Sequence, residues 1–348
     1  MIIGGSACTD YDTGDMKESK EISLQILPTV SNVVVKNRGP VGETTLKEGT
    51  IGLSIFPKDG YSTTNGIEGS SLYEPVPEYK RTQVKIEEAN KYTYTPEGFT
   101  EALPAIYLKK NAGPVDIYAY YPATTTGKTE YLDKIPFTLG SEKRNNFDYM
   151  IPAGGKYTVD PMDAANKDKS TCTVPLEFRH IMAQLEFRVT PSFWGQDLLP
   201  TFIISTKAAD NTPLQKIATK GSYSFFDESM EYTTLDSKFS FTGDFINATN
   251  SLNTTIQGFV IPPIEWKDGE PEIYLSIEMQ FNTKPSPVQT ESYTFNLKEL
   301  SAIDGTTTRY GLLPGYKYVI NATIDNFVKY SGIPYKVEWT DVPMDFPI

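Results

Sequence analysis

The chain has 348 residues, enough for two domains of ordinary size, and its 39% hydrophobic and 22% charged content suits a folded core rather than a disordered polymer. A formal net charge of −12 argues against nucleic acid, whose phosphates need a basic surface, and against an electrostatic membrane anchor. No apolar run approaches the ~18 residues of a membrane-spanning helix.

The first residues, MIIGGSACTDYDTGD, hold too short an apolar stretch for a whole signal peptide. Gly5, Ser6 and Ala7 lead into Cys8 and then a polar, acidic run, as at the end of a bacterial lipoprotein signal whose cysteine takes lipid. The other reading is an ordinary cysteine near a chain end. Asp10, Asp12 and Asp15 are spaced loosely like a calcium loop but lack a downstream glutamate at loop spacing, and read as a solvated spacer. Residues 1–20 are thus expected to form a tether.

The next stretch, EISLQILPTVSNVVVKNR, begins as a strand. Ile22, Leu24 and Ile26 alternate with Glu21, Ser23 and Gln25, which puts three apolar side chains on one face. Pro28 is expected to break it before a second β-branched run, Val33 to Val35. The turn-like Asn37-Arg38-Gly39-Pro40 follows, polar and carrying an arginine. A buried strand joined to an exposed arginine reads as a removable part. The same residues also read as an ordinary first strand ending in a polar turn.

Further β-rich runs lie at 50–57, 105–110, 115–122, 174–189, 201–206, 256–263, 272–281, 316–324 and 333–339, rich in Val, Ile, Tyr, Phe and Thr and bounded by Gly, Pro, Asn and Asp. Ile273, Leu275, Ile277 and Met279 share one face, the mark of a strand with one dry and one wet side. Residues 297–304 and 85–91 are at most short helices. The polar segment Ala153–Thr171, with its Gly and Pro, is the best boundary. The expected fold is all-β: two antiparallel β-sandwich domains in tandem, at 21–170 and 171–348.

Catalytic chemistry is thin. His180 is the single histidine, and in a β-rich run it reads as a structural, hydrogen-bonded residue. One histidine and no CxxC pair starve zinc of ligands, and neither a GxSxG elbow, a GxGxxG fingerprint nor a phosphate-binding loop occurs. The 44 acidic residues single out no pair. No cofactor is expected. Cys172 reads as a small buried hydrophobe. The 22 Tyr, 18 Phe and 3 Trp suit packing across a sandwich better than an exposed sugar platform.

Several segments, in order along nearly the whole chain, carry a resemblance. VDIYAYYPA (Val115–Ala123), NNFDYMIPAGG (Asn145–Gly155), VPLEFRHIMAQLEFRV (Val174–Val189) and LLPGYKYVINATI (Leu312–Ile324) resemble the fimbrillin-like family of the Bacteroidales. So do Asn37–Pro40 before a GTIGLSIF strand and the VEW of Val337–Trp339. Members build type V pili. The resemblance implies two transthyretin-like sandwiches, export as an outer-membrane lipoprotein with lipid on Cys8, and a place at the cell surface in the fimbrium. It implies cutting by an arginine-specific protease between Arg38 and Gly39, with Lys36 and Arg81 as weaker matches. Cleavage would release the strand of Ile22, Leu24 and Ile26, and a strand from another pilin subunit would fill the groove. Ile333, Tyr335, Val337 and Trp339 are the candidate donor positions. The two prolines after Trp339 suit a donor poorly, which points to a tip or accessory subunit. Two other readings stay open: a surface lipoprotein that binds a glycan or host protein through exposed aromatics without polymerising, and an enzyme acting on polysaccharide.

Overall fold

The computed structural model describes residues 21–30, 44–45, 49–58, 81–88, 91–96, 101–110, 113–123, 134–142, 148–163, 165–191, 199–224, 227–247, 253–282, 289–304, 307–324, 328–330 and 335–338. They are almost entirely strand. The first half contributes β1 (Glu21–Val30), β2 (Thr44–Thr45), β3 (Gly49–Pro57), β4 (Arg81–Glu88), β5 (Lys91–Pro96), β6 (Ile106–Lys109), β7 (Val115–Tyr120), β8 (Lys134–Thr138), β9 (Met150–Pro152), β10 (Lys156–Val159) and β11 (Thr171–His180). The second half contributes β12 (Ala183–Pro191), β13 (Leu199–Lys207), β14 (Ile217–Ser224), β15 (Ser229–Asp236), β16 (Lys238–Thr242), β17 (Thr255–Ile261), β18 (Ile264–Trp266), β19 (Tyr274–Asn282), β20 (Gln289–Asn296), β21 (Ser301–Asp304), β22 (Thr307–Leu312), β23 (Tyr316–Ile324), β24 (Val328–Tyr330) and β25 (Tyr335–Glu338).

In the first half, a sheet ordered β2-β1-β11-β9, with β6 also on β1, faces a sheet ordered β10-β7-β3-β4-β5 across one apolar core. In the second half, β17-β12-β23-β24, with β25 also on β23, faces β16-β13-β19-β20 across another. The two arrangements match. β1 lies between antiparallel β6 and parallel β11, and β12 lies between antiparallel β17 and parallel β23. Each main sheet is therefore mixed rather than purely antiparallel, because the first and last long strands of each half lie side by side. Nothing in the sequence repeats to show this duplication.

Alternation explains the strands. β11 buries Cys172, Val174, Leu176, Phe178 and His180 while Thr173, Pro175 and Glu177 face out. Ile273, Leu275, Ile277 and Met279 are all buried on one face, as the sequence predicts. The run 174–189, continuous in sequence, is two strands in different sheets. The chain crosses at Ile181–Met182, so the first half keeps all ten residues of β11, beyond the boundary expected at 170/171. Residues 85–88, expected within a short helix, belong to β4, and Lys91 opens β5, which pairs antiparallel with it. In 297–304, one 3-10 turn at Leu297–Glu299 leads into β21.

A third cluster joins the halves. β8 pairs with β14, and β14 with β15, so one small sheet takes strands from both. Ile135 and Phe137 from β8 pack with Ala218 and Tyr223 from β14, beside Ile181 and Met182 at the crossover. His180 ends β11 here. It is buried, with Nδ1 2.6 Å from Asp148 Oδ2, and burial pushes the Asp148 carboxyl up from its usual range.

Candidate functional site: the slot filled by the first strand

β1 is a central strand, and its alternation runs its full length. Ile22, Leu24, Ile26 and Val30 are at most 1% exposed, and Pro28 is buried in the same row. Their neighbours in register are Leu108 beside Ile22, Ile106 and Cys172 on either side of Leu24, Val174 beside Ile26, Leu176 beside Pro28 and Phe178 beside Val30. Ile51, Leu53 and Ile55 of β3 and Val84 of β4 supply the opposite wall of this core. Cys172 is free and buried, and burial raises its thiol pKa.

The strand does not break at Pro28, contrary to the sequence expectation, and backbone direction explains why. Ser23 N–H donates to Ser170 O at 2.9 Å, so the odd residues of β1 turn their backbone groups toward β11 and the even ones away. On that other side β6 covers Glu21–Leu24 and β2 covers Thr29–Val30. Pro28 falls between them, where its missing N–H breaks no ladder bond. Ile26 falls in the same gap, and its N–H donates to the Tyr94 hydroxyl. Burial pushes that hydroxyl up to about 12, against the opposing pull of this bond. On the outer face Ser23 Oγ lies 3.0 Å from Ser170 O and 2.9 Å from Thr171 Oγ1.

Burying Ile22, Leu24, Ile26 and Val30 is worth about 6–12 kcal/mol at roughly 1.5–3 kcal/mol each. That matches the ~5–15 kcal/mol net stability of a whole domain. Without β1 the first half would expose an apolar trough flanked by two unpaired edges, β11 on one side and β6 with β2 on the other. β1 itself runs parallel to β11 and antiparallel to β6.

The structure brings Ile22, Leu24 and Ile26 together as expected and adds Pro28, Val30 and Tyr94. Alternation made the row legible only as far as Ile26, because Pro28 read as a break, and nothing near Tyr94 marks it as a partner for Ile26. Cys8, Lys36, Arg38, Gly39, Ile333 and Trp339 lie outside the described residues. The backbone of Arg81 pairs with Ser54 at the start of β4. Tyr335 and Val337 lie in β25, whose backbone pairs antiparallel with β23 of the chain's own second half.

A profile of the fimbrillin-like family matches residues 41–338, a span that starts just beyond Arg38. Among curated proteins none matches the sequence. Among solved structures, a candidate cell adhesion protein from Bacteroides ovatus is similar with a TM-score of 0.52 at 14% identity, covering 93% of this chain and 99% of that one. Another from Bacteroides uniformis has a TM-score of 0.50 at 16% identity, covering 92% and 100%. At such identities these two likenesses bear on the fold alone, while the profile spans both halves from before β3 to the end of β25: the chain belongs to the fimbrillin-like family.

Proposed function

We propose that the protein is a structural subunit of a bacterial surface fimbria, without an active site, that assembles by strand replacement in the β1 slot and supports cell adhesion. It is exported as an outer-membrane lipoprotein with lipid on Cys8. An arginine-specific protease cuts between Arg38 and Gly39, β1 leaves, and a strand from another pilin subunit takes its place. The observation that carries this reading is the position of β1: a central strand between β6 and β11 whose even-numbered face lies wholly in the core. Its loss exposes apolar surface and backbone edges that one donated strand covers at once, by β-augmentation. A head-to-tail contact of this kind does not close on itself and so grows a filament.

A donor role for Ile333, Tyr335, Val337 and Trp339 requires β25 to leave β23. A subunit that keeps β25 at home accepts a strand without giving one through these residues, which fits a tip or accessory place.

Limited digestion with an arginine-specific protease tests the reading. The expected result is one early cut after Arg38, followed by oligomers or by capture of a labelled Glu21–Val30 peptide. A chain cut after Arg38 that stays monomeric and captures nothing, or one left uncut there while cleaved elsewhere, refutes it.

A further inference from the structure

A cavity of about 620 Å³ opens between the halves, walled by the end of β11, the β14–β15 hairpin and the β18–β22 pair. None of its lining residues is among those that wall the β1 slot, although Arg179 follows directly on Phe178, the register partner of Val30. Its volume lies within the ~300–1,000 Å³ of small-molecule sites.

Its charges are unevenly matched. Glu228 meets Arg179 Nη2 at 2.8 Å, Glu265 meets Arg309, and Glu270 lies 3.8 Å from Lys216. Each wall carboxylate is thus already claimed, whereas Lys267 has no carboxylate partner among the described residues. Two further donors are idle at the β11 end. Tyr223 is 4% exposed, yet its hydroxyl meets no hydrogen-bond partner among the described residues, and neither does the buried Nε–H of Arg179. Both line the same cavity. A buried idle donor costs free energy unless something accepts from it. Two idle donors in a cavity that also holds an unmatched cation suit an anionic oxygen group.

The other walls favour a sugar over a peptide. Tyr232 is 41% exposed, and its ring is held at both ends, by an edge contact with Phe137 at 6.4 Å between centroids and by its hydroxyl donating to Pro263 O at 3.2 Å. A fixed, half-open aromatic ring is a platform for the apolar face of a pyranose. Carboxylates and cations side by side suit hydroxyls, which both donate and accept.

We propose that this cavity binds a carboxylate-bearing sugar residue of an acidic saccharide, its carboxylate between the Arg179 Nε–H and the Tyr223 hydroxyl and its ring against Tyr232. Titration calorimetry on the intact full chain tests this, with digalacturonate and sialyllactose as probes, their methyl esters as uncharged matches and an aspartate-rich tetrapeptide as competitor. At least one acid should bind, with its ester at least about tenfold weaker. Y223F and R179Q should each weaken the acid about tenfold while leaving the ester unchanged, and Y232A should weaken both. Thermal melting of each variant confirms that it is folded, and Y223F, which only removes an unpartnered hydroxyl, keeps the test open if R179Q is not. No binding by either acid up to about 10 mM, equal binding of acid and ester, or an unaffected folded Y223F would overturn the proposal. So would a peptide that binds as well as the sugars.

Discussion

Leu24 sits between Ile106 and Cys172 in a row that crosses three strands, so shortening it leaves a void that neither neighbour can fill. Leu24→Ala should destabilise the protein by about 2–5 kcal/mol. Gln25→Ala, one residue along and half-buried on the outer face, should stay within about 0.5 kcal/mol. Urea denaturation separates the two. Tyr94 acts on the same strand through the backbone. Tyr94→Phe strips the Ile26 N–H of its partner at a cost of about 1–3 kcal/mol, and amide exchange at Ile26 should quicken accordingly. The same hydroxyl makes stability depend on pH. It ionises near 10 in the unfolded chain and at about 12 in the folded one, so its contribution is complete below pH 10 and is lost as pH rises toward 12. Each such tyrosine contributes roughly 2–3 kcal/mol to that fall. Alkaline titration should therefore destabilise the parent more steeply between pH 10 and 12 than the Tyr94→Phe variant. Parallel curves would mean that the hydroxyl does not differ between the two states.

At the level of elements, alternation marked β1 and β19, while β3, β7, β13 and β23 were legible as runs rich in β-branched and aromatic residues between turn residues, β3 and β7 being buried on both faces. It could not find β15, which is exposed or half-buried throughout and has no apolar row to betray it. Nor could it part β11 from β12, since the apolar residues run on through Ile181 and Met182 into the core between the halves. Ile22, Leu24 and Ile26 were legible as a face. That the strand is central, parallel to β11 and bridged to Tyr94 depends on partners 68 to 148 residues away, beyond any local pattern. These partners set what a replacement must look like. A chain lacking residues 1–38 should capture a free Glu21–Val30 peptide, and the same peptide carrying Leu24→Asp and Ile26→Asp should not bind, since each carboxylate would enter the core unpaired. Fluorescence anisotropy reads both. Equal capture of the two peptides would place binding outside the slot.

In the whole molecule, the halves are more than neighbours on a string. The sheet β8-β14-β15 takes one strand from the first half and two from the second, and a shared apolar cluster lies under it. Gly221 in β14 permits the close approach: a Cβ there would fall 2.3 Å from the Glu231 carbonyl oxygen and 2.7 Å from the Phe137 ring. Backbone pairing between β8 and β14 ties the halves directly, where a linker would leave them free. The junction should also make the two halves unfold together. Scanning calorimetry of the intact chain should give one transition whose van't Hoff and calorimetric enthalpies agree. Ile135 is fully buried on β8 at the centre of this cluster, so Ile135→Ala should cost about 2–5 kcal/mol and split the transition in two, the half that keeps its own core intact melting nearer the parent. If the parent already melts in two separate steps, the shared sheet does not couple the halves. They are then joined only by the Ile181–Met182 crossover, and the cavity between them has no fixed walls.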